Sequence, residues 1–191
     1  MPTHFFPFTL SVAAVFLAGC ASPDAAGPHD KAGGMVMMTG MMNGRTAMAS
    51  LTPTEGSQVR GLVMFHEMTD HLMVHARISG LKPDAEHGFH VHEHGSCASA
   101  DGASAGGHFN PDGKPHGPQT SVHHAGDMPS LKTDAKGSAN QKFMLTGVTL
   151  AEGKASLVGR AVIVHAQADD YTTQPTGNSG ARIACGVIAA P

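Results

Sequence analysis

The chain has little of what would make it helical, aromatic-rich or basic. Tryptophan is absent, tyrosine occurs once, and the 12 lysines and arginines are outnumbered by 14 histidines. The formal net charge of −3 argues against the basic surface that nucleic-acid binding requires. Helix formers are few, whereas the 24 glycines and many short apolar runs favour an all-β domain with long loops.

The sequence also lacks an apolar run of the about 20 residues that a membrane-spanning helix needs. The apolar run from Phe5 to Leu17 leads into Leu17-Ala18-Gly19-Cys20, and small residues before a cysteine are typical of a bacterial lipoprotein signal. We therefore predict a signal peptide at residues 1–19 and a mature chain that begins at Cys20. The sulfur of Cys20 would carry a lipid and attach the protein to a membrane from the periplasm. No lysine or arginine precedes Lys31, so a plain secretory signal and a retained anchor are the alternatives.

Only three cysteines are present. With Cys20 set aside, Cys97 and Cys185 remain, and an even pair in an exported domain is typical of a disulfide. Such a bond would close a loop of about 88 residues and stabilise the fold by about 4 kcal/mol. Two free buried thiols are the alternative.

Residues 20–44 are predicted to form a tether, because they are rich in Gly, Ala and Pro and show no strand or helix period. The tether contains Met35, Met37, Met38, Met41 and Met42. Thioethers are soft ligands for Cu(I), although a linker whose methionines bind nothing is the alternative.

A single domain is predicted over residues 45–191, with eight strands and two long loops at 95–126 and 166–181. Leu72, Val74, Ala76 and Ile78 alternate with polar residues, which places them in the core. The predicted strands are Arg45–Thr52, Ser57–Glu67, His71–Ser79, His87–His94, Asp127–Thr133, Ser138–Gly147, Ser156–His165 and Arg182–Ile188. This pattern favours a β-sandwich or a Greek-key β-barrel.

Histidines cluster around the two long loops. His90 and His92 are two apart on a predicted strand, so their rings leave the same face and can share one metal ion. The following loop offers His108, His116, His123, His124 and Asp127, and His165 ends a later strand. Three imidazoles and a carboxylate suit tetrahedral zinc. Although an H-x-H pair alone arises by chance in a histidine-rich chain, these residues together could form two metal sites.

Six segments resemble, in the same order, the bacterial copper/zinc superoxide dismutase family. They read GFHVHE, GGHFNP, KPHGP, HAGDMPSL, VIVHAQADD and GNSGARIACGVI, and the likeness runs from Arg45 to Ile188. The resemblance implies an eight-stranded Greek-key barrel with copper and zinc held by its loops.

The resemblance also implies a role for each site residue. The copper ligands would be His90, His92, His108 and His165, and the zinc ligands would be His108, His116, His124 and Asp127. His124 is preferred to its neighbour His123 because of its H-x-G-D spacing to Asp127. Asp169 would link His90 to His116, and His87 would brace the copper site. Arg182 would attract the substrate anion, and Cys97 and Cys185 would form the family disulfide.

The implied function is dismutation of superoxide to oxygen and hydrogen peroxide. Copper would alternate between Cu(II) and Cu(I), and His108 would release copper on reduction, take up a proton and deliver it to the product. One alternative is a copper-binding or copper-delivery lipoprotein on a dismutase-like fold. The tether and a predicted outward patch of Met64, His66, Met73 and His75 favour it. Another alternative is a histidine-rich zinc scavenger. Bacterial members occur as monomers and as homodimers, so the resemblance leaves the oligomeric state open.

Overall fold

A computed structural model describes residues 44–191, and the predicted signal peptide, Cys20 and the predicted tether lie outside them. The described chain forms nine strands and one short 3₁₀ helix, Ala103–Ala105. The strands are β1 (Thr46–Pro53), β2 (Arg60–Glu67), β3 (Leu72–Ser79), β4 (Glu86–His87), β5 (Phe89–His92), β6 (Leu131–Lys132), β7 (Ala139–Leu145), β8 (Ala161–His165) and β9 (Arg182–Ala189). Among residues 44–191, no helix has the length and apolarity to cross a membrane.

Seven strands form one antiparallel sheet in the order β5-β8-β9-β1-β2-β3-β7, and β4 pairs with β6 alone. The all-β prediction is confirmed. The large sheet curls around an apolar core, and β1 and β3 bury every second side chain in it. Phe65 and Phe89 are among the largest fully buried side chains in that core.

The predicted strand His87–His94 was wrong in its extent, because it is interrupted at Gly88 and ends at His92. The backbone of Gly88 leaves the β4–β6 ladder and bonds to the second long loop and to the end of β8, where its N–H donates to Gln167 O and its carbonyl accepts from His165 N–H. This break gives nine strands instead of eight.

Two other predicted strands are shorter than expected. The segment Asp127–Thr133 is in ladder only at Leu131–Lys132, because Asp127 turns toward the histidines. The segment Ser156–His165 joins the sheet only at Ala161, after a turn in which Arg160 N–H donates to Leu157 O. Both deviations place polar side chains in loops beside the site.

Candidate metal centre

Four buried imidazoles meet at one end of β5 and β8. One ring nitrogen from each lies within 4.8 Å of the others, and the four residues are His90, His92, His108 and His165. His90 and His92 share a face of β5, His165 ends β8, and an isolated β-bridge between His92 and His108 brings in the loop residue. We call this set the four-histidine cluster.

In three of these rings, one nitrogen makes a hydrogen bond to an oxygen acceptor outside the cluster, and this bond fixes the orientation of the ring. The pairs are His90 Nε2 with Asp169 Oδ2 at 2.7 Å, His92 Nδ1 with Gly106 O at 2.9 Å, and His165 Nδ1 with Gly180 O at 3.1 Å. Because each of these acceptors takes the ring's N–H, the opposite nitrogen is left as a lone-pair donor.

The opposite nitrogens have no hydrogen-bond partner within residues 44–191, although they are buried. They are His90 Nδ1, His92 Nε2, His108 Nε2 and His165 Nε2. Leaving one buried acceptor unsatisfied costs about 1–3 kcal/mol, so four around one point need compensation. Four imidazole nitrogens suit copper, and the donor set therefore fits a bound copper ion.

Burial also keeps these rings neutral. Desolvation lowers the pKa of His165 to about 3 and the pKa of His108 to about 4, and it lowers the pKa of His92 well below its usual value. Neutral imidazole is the form that binds a metal ion, so the cluster needs no proton loss near neutral pH.

A second buried group consists of His108, His116, His124 and Asp127. Its contacts centre on Asp127, whose Oδ1 lies 2.9 Å from His108 Nδ1 and 3.4 Å from His124 Nδ1, and whose Oδ2 lies 3.0 Å from His116 Nδ1. Three imidazoles and one carboxylate are a common donor set for zinc, so the group fits that ion. We call it the three-histidine–aspartate cluster.

Electrostatics in this second cluster differ from those in the first. Burial disfavours the charged form of His116, but the close Asp127 carboxylate and the hydrogen bond to Asp169 outweigh burial and raise its pKa to about 9. Burial likewise opposes ionisation of Asp127, yet its close contacts with the three histidines keep the pKa of its carboxyl well below the usual range. In the metal-free protein, His116 therefore carries a proton that a metal ion must displace.

Two residues connect the clusters. His108 belongs to both, because its Nε2 lies with the four-histidine cluster and its Nδ1 lies beside Asp127. Asp169 lies between them and accepts from His90 Nε2 at 2.7 Å and from His116 Nε2 at 2.9 Å. The two clusters therefore share one ring and one orienting carboxylate.

Arg182 is the half-buried cation beside the four-histidine cluster. It pairs with His165 across the β8–β9 ladder, and its guanidinium donates to Gly102 O at 2.7 Å and to Gly106 O at 2.6 Å. Its charge helps to lower the pKa values of His92 and His165, after burial and neighbouring histidines. The two carbonyls thus hold the guanidinium at the edge of the cluster.

Comparison with known proteins agrees with this arrangement. The family profile "Copper/zinc superoxide dismutase (SODC)" matches residues 59–188. The chain belongs to the copper/zinc superoxide dismutase family. "Superoxide dismutase [Cu-Zn] 2" of Aquifex aeolicus is 42% identical over 149 residues, which are 74% of this chain and 85% of the relative.

Two further relatives carry dismutase-like names. A superoxide dismutase-like protein of Bacillus subtilis is 43% identical over 72% of this chain and 73% of its own length. The crystal structure of a SOD-like protein from Bacillus subtilis is 40% identical, covers 73% of this chain and 96% of its own, and aligns with a TM-score of 0.67. Family membership assigns the chain superoxide dismutation as its reaction and copper and zinc as its cofactors.

The predicted disulfide of this dismutase is confirmed, since Cys97 and Cys185 are bonded with their Cα atoms 5.7 Å apart. The bond ties the first long loop to β9. The same loop contains the 3₁₀ helix, whose Ala105 packs against Cys185, and it supplies the carbonyls of Gly102 and Gly106 that hold Arg182.

Histidines predicted to lie outside the dismutase clusters do so. His94 is exposed, and His123 Nδ1 contacts the carbonyl of His124 at 2.6 Å instead of facing Asp127. His87 is buried, and its Nδ1 donates to the carbonyl of His165 at 2.8 Å, as expected for a residue that braces the first cluster.

Sequence reasoning missed the groups that orient the dismutase's ligands through the backbone. The carbonyls of Gly106 and Gly180 fix two histidine rings, and Gln174 brackets the backbone of His116 with bonds of 2.8 and 2.9 Å. Gly177 packs against Asp169 and His116 so closely that a Cβ there would clash with the carboxylate. In the sequence, the only signal of these close contacts between backbone and ligand side chains is the glycine content of the two long loops.

Proposed function

We propose that the four-histidine cluster holds copper, that the three-histidine–aspartate cluster holds zinc, and that the two ions share His108 during superoxide dismutation. The observation that carries this proposal is the set of four buried ring nitrogens that have no hydrogen-bond partner within residues 44–191, each on a ring whose other nitrogen is hydrogen-bonded. Such pre-organisation is expected for a metal centre whose ligands are fixed before the ion binds.

Bound copper supplies one-electron chemistry by alternating between Cu(II) and Cu(I), and zinc supplies a fixed positive charge. His108 Nε2 would hold one of the two protons that hydrogen peroxide needs and pass it to the product, and the second proton would come from solvent. His108 Nδ1 would remain on the zinc side, beside Asp127. Burial lowers the pKa of His108 to about 4, so the ring is neutral near neutral pH before a metal ion binds.

Arg182 positions the substrate in this proposal. Its guanidinium is held by the carbonyls of Gly102 and Gly106, and its charge faces His92 and His165. A fixed cation at this edge attracts superoxide and lets both oxygen atoms approach the four-histidine cluster in one orientation.

Metal content and turnover test the assignment together. We expect about one copper and one zinc per chain in the loaded protein, as the two donor sets imply. His165→Ala removes one nitrogen from the four-histidine cluster only, so it should abolish dismutation and leave zinc bound. His94→Ala, at an exposed histidine outside both clusters, serves as the matched control and should leave both metals and turnover unchanged. Dismutation that survives in His165→Ala would contradict the ligand assignment.

We further propose that the enzyme is exported and lipid-anchored through Cys20, on the strength of the Leu17-Ala18-Gly19-Cys20 sequence. The mass of the mature chain should then correspond to a start at Cys20 plus lipid. Cys20→Ser should release the protein from the membrane fraction without loss of activity. A mature chain that starts elsewhere, or an unmodified Cys20, would refute the anchor while leaving the metal centre unaffected.

A further inference from the structure

The methionines of residues 44–191 are distributed unevenly. Met128 is buried in the core, and the other five lie on the solvent side of strands β1, β2, β3 and β7 or of the β2–β3 turn. These five are Met48, Met64, Met68, Met73 and Met144. His66 and His75 lie on the same side, because they share the alternation of these methionines along β2 and β3, and His71 directly precedes β3. We call the eight residues the methionine–histidine face.

Strand register brings these side chains into rows. In one row Met48 lies opposite Met64, which lies opposite His75. In the next row His66 lies opposite Met73, which lies opposite Met144. Directly opposed residues have Cβ atoms about 4.5–5.5 Å apart, and diagonal neighbours are about 7–8 Å apart, within reach of long side chains.

This composition is unusual for the outer face of an antiparallel sheet, which is normally polar. Met48 is 46% exposed, Met68 50% and Met144 58%, so they do not fill the core. Packing therefore does not explain why thioethers were placed there and interleaved with imidazoles.

We propose that the methionine–histidine face binds Cu(I), at a site separate from the catalytic copper. Thioether sulfur is a soft ligand that selects Cu(I), and imidazole completes such sites. The central ligands are the row of His66, Met73 and Met144, with Met64 beside His66 on β2. This proposal goes beyond the catalytic role and stands whether or not the four-histidine cluster holds copper.

The two sites are well separated in the fold. His165 lies on β8, and β9 and β1 lie between β8 and β2 in the sheet. Three strand spacings amount to about 14 Å along the sheet. Two strands therefore separate His165 from the methionine and histidine side chains of β2.

Charged and hydrogen-bonded neighbours define which part of the face is free to bind. His75 Nε2 contacts Asn140 Oδ1 at 2.7 Å, and His71 Nδ1 contacts Asp70 Oδ1 at 2.6 Å, so each ring has one nitrogen engaged. Lys142 lies opposite His75 and opposes a bound cation from that end. The row of His66, Met73 and Met144 is the row next to the one that contains Lys142. It is therefore the better position for the ion.

Methionine methyl NMR on the full chain, loaded with copper and zinc, tests the site without relying on turnover. Ag(I) is the probe, because it is a soft monovalent ion with the ligand preference of Cu(I). We expect the methyl signals of Met64, Met73 and Met144 to shift together and saturate at one silver ion, while the buried Met128 stays unchanged. Shifts confined to methionines outside residues 44–191 would overturn the proposal. Signals that respond to protein concentration but not to Ag(I) would also overturn it, and would identify the face as a contact between two copies.

Variants sharpen the test. Met73→Leu keeps the volume of the side chain but removes the sulfur, and His66→Gln removes the imidazole. Each should weaken Ag(I) binding about tenfold, the effect of losing roughly 1.4 kcal/mol of ligand energy. Lys142→Gln should strengthen it by removing a like charge, and His94→Gln, an exposed histidine elsewhere, should have no effect. Equal affinity in all four variants contradicts the site, and the dismutase rate should stay constant throughout.

Discussion

His92 and Arg182 donate hydrogen bonds to the same carbonyl oxygen, that of Gly106, at 2.9 and 2.6 Å. One loop carbonyl therefore fixes both a ring of the four-histidine cluster and the cation beside it. Since Cys97 ties this loop to β9, the disulfide supports the position of the ligand and the position of the charge together.

Arg182 should dominate the attraction of superoxide, because the protein's formal net charge of −3 repels an anion. A positive field focused in a cleft raises the rate at which an anion associates roughly 10-fold to 10³-fold, and this enzyme family is a known example of the effect. Arg182→Ile should therefore slow the rate about tenfold without changing metal content. Added salt should slow the wild-type enzyme, since the Debye length is about 10 Å at 0.1 M, and it should slow the variant less.

Substitution of Asp101 should have the opposite effect on the dismutation rate. Its charge acts on Arg182, and the carboxylate is exposed, so it offsets part of the attracting field. Asp101→Asn should raise the rate and steepen its salt dependence. Lys114→Ala should have only a small effect, because Lys114 is exposed and lies 3.4 Å from the Asp112 carboxylate. A wild-type rate that ignores salt, or rises with it, would show that repulsion by the whole protein outweighs the local field.

Asp169→Asn should weaken metal binding at both clusters, because Asp169 accepts a ring N–H from His90 and another from His116. An amide offers one acceptor oxygen and carries no charge, so one ring loses its partner and the other is held by a weaker bond. Loss of such an orienting group typically lowers metal affinity 10–100-fold. Competition with a chelator measures this directly.

The matched control is Asp170→Asn, one residue along the chain. Asp170 is exposed and accepts only from the local Thr172 and Thr173. Its substitution should leave the affinity for both metals unchanged. Equal losses in the two variants would mean that loop order, and not the bridge between His90 and His116, sets the affinity.

Reduction of the Cys97–Cys185 bond should loosen the loop that carries Gly102 and Gly106. The sequence separation is 88 residues, and closing such a loop stabilises the fold by about 4 kcal/mol. For a domain of this size, the unfolding temperature should fall by roughly 10 °C. Differential scanning calorimetry of the Cys97→Ser/Cys185→Ser variant measures the change. Two free thiols in fully active wild-type protein would refute this role.

How far the sequence predicted this molecule depends on the range of the interactions involved. Alternation in β3 is a local signal, and the burial of Leu72, Val74, Ala76 and Ile78 follows it. The break at Gly88 was not foreseen, because it depends on backbone partners about 80 residues away, Gln167 and His165.

The candidate site shows the same division. Each histidine and aspartate of the two clusters was named from sequence, since ordered family segments carry them. The carbonyls of Gly106 and Gly180 were not, because a backbone acceptor has no side-chain signature. Met64 and Met73 were expected to face outward, but Met48 and Met144 joined them only through cross-strand register.

Zinc binding should release a proton from His116. In the folded metal-free protein, burial opposes the charged form of His116, but the carboxylates of Asp127 and Asp169 outweigh it and raise its pKa to about 9, so the ring is protonated below that pH. Zinc must displace this proton, and its apparent affinity should rise about tenfold per pH unit between pH 7 and pH 9 and level off above that.

The His165→Ala variant directs zinc to the three-histidine–aspartate cluster, because the other cluster lacks a ligand. Calorimetry at pH 7.5 in buffers of different ionisation enthalpy should show about one proton released per zinc. In an Asp169→Asn background the plateau should begin at lower pH, since one of the two carboxylates that raise the pKa of His116 is removed. An affinity that is flat from pH 7 to 9 would show that His116 is neutral before zinc arrives and that its paired carboxylates do not hold a proton on it.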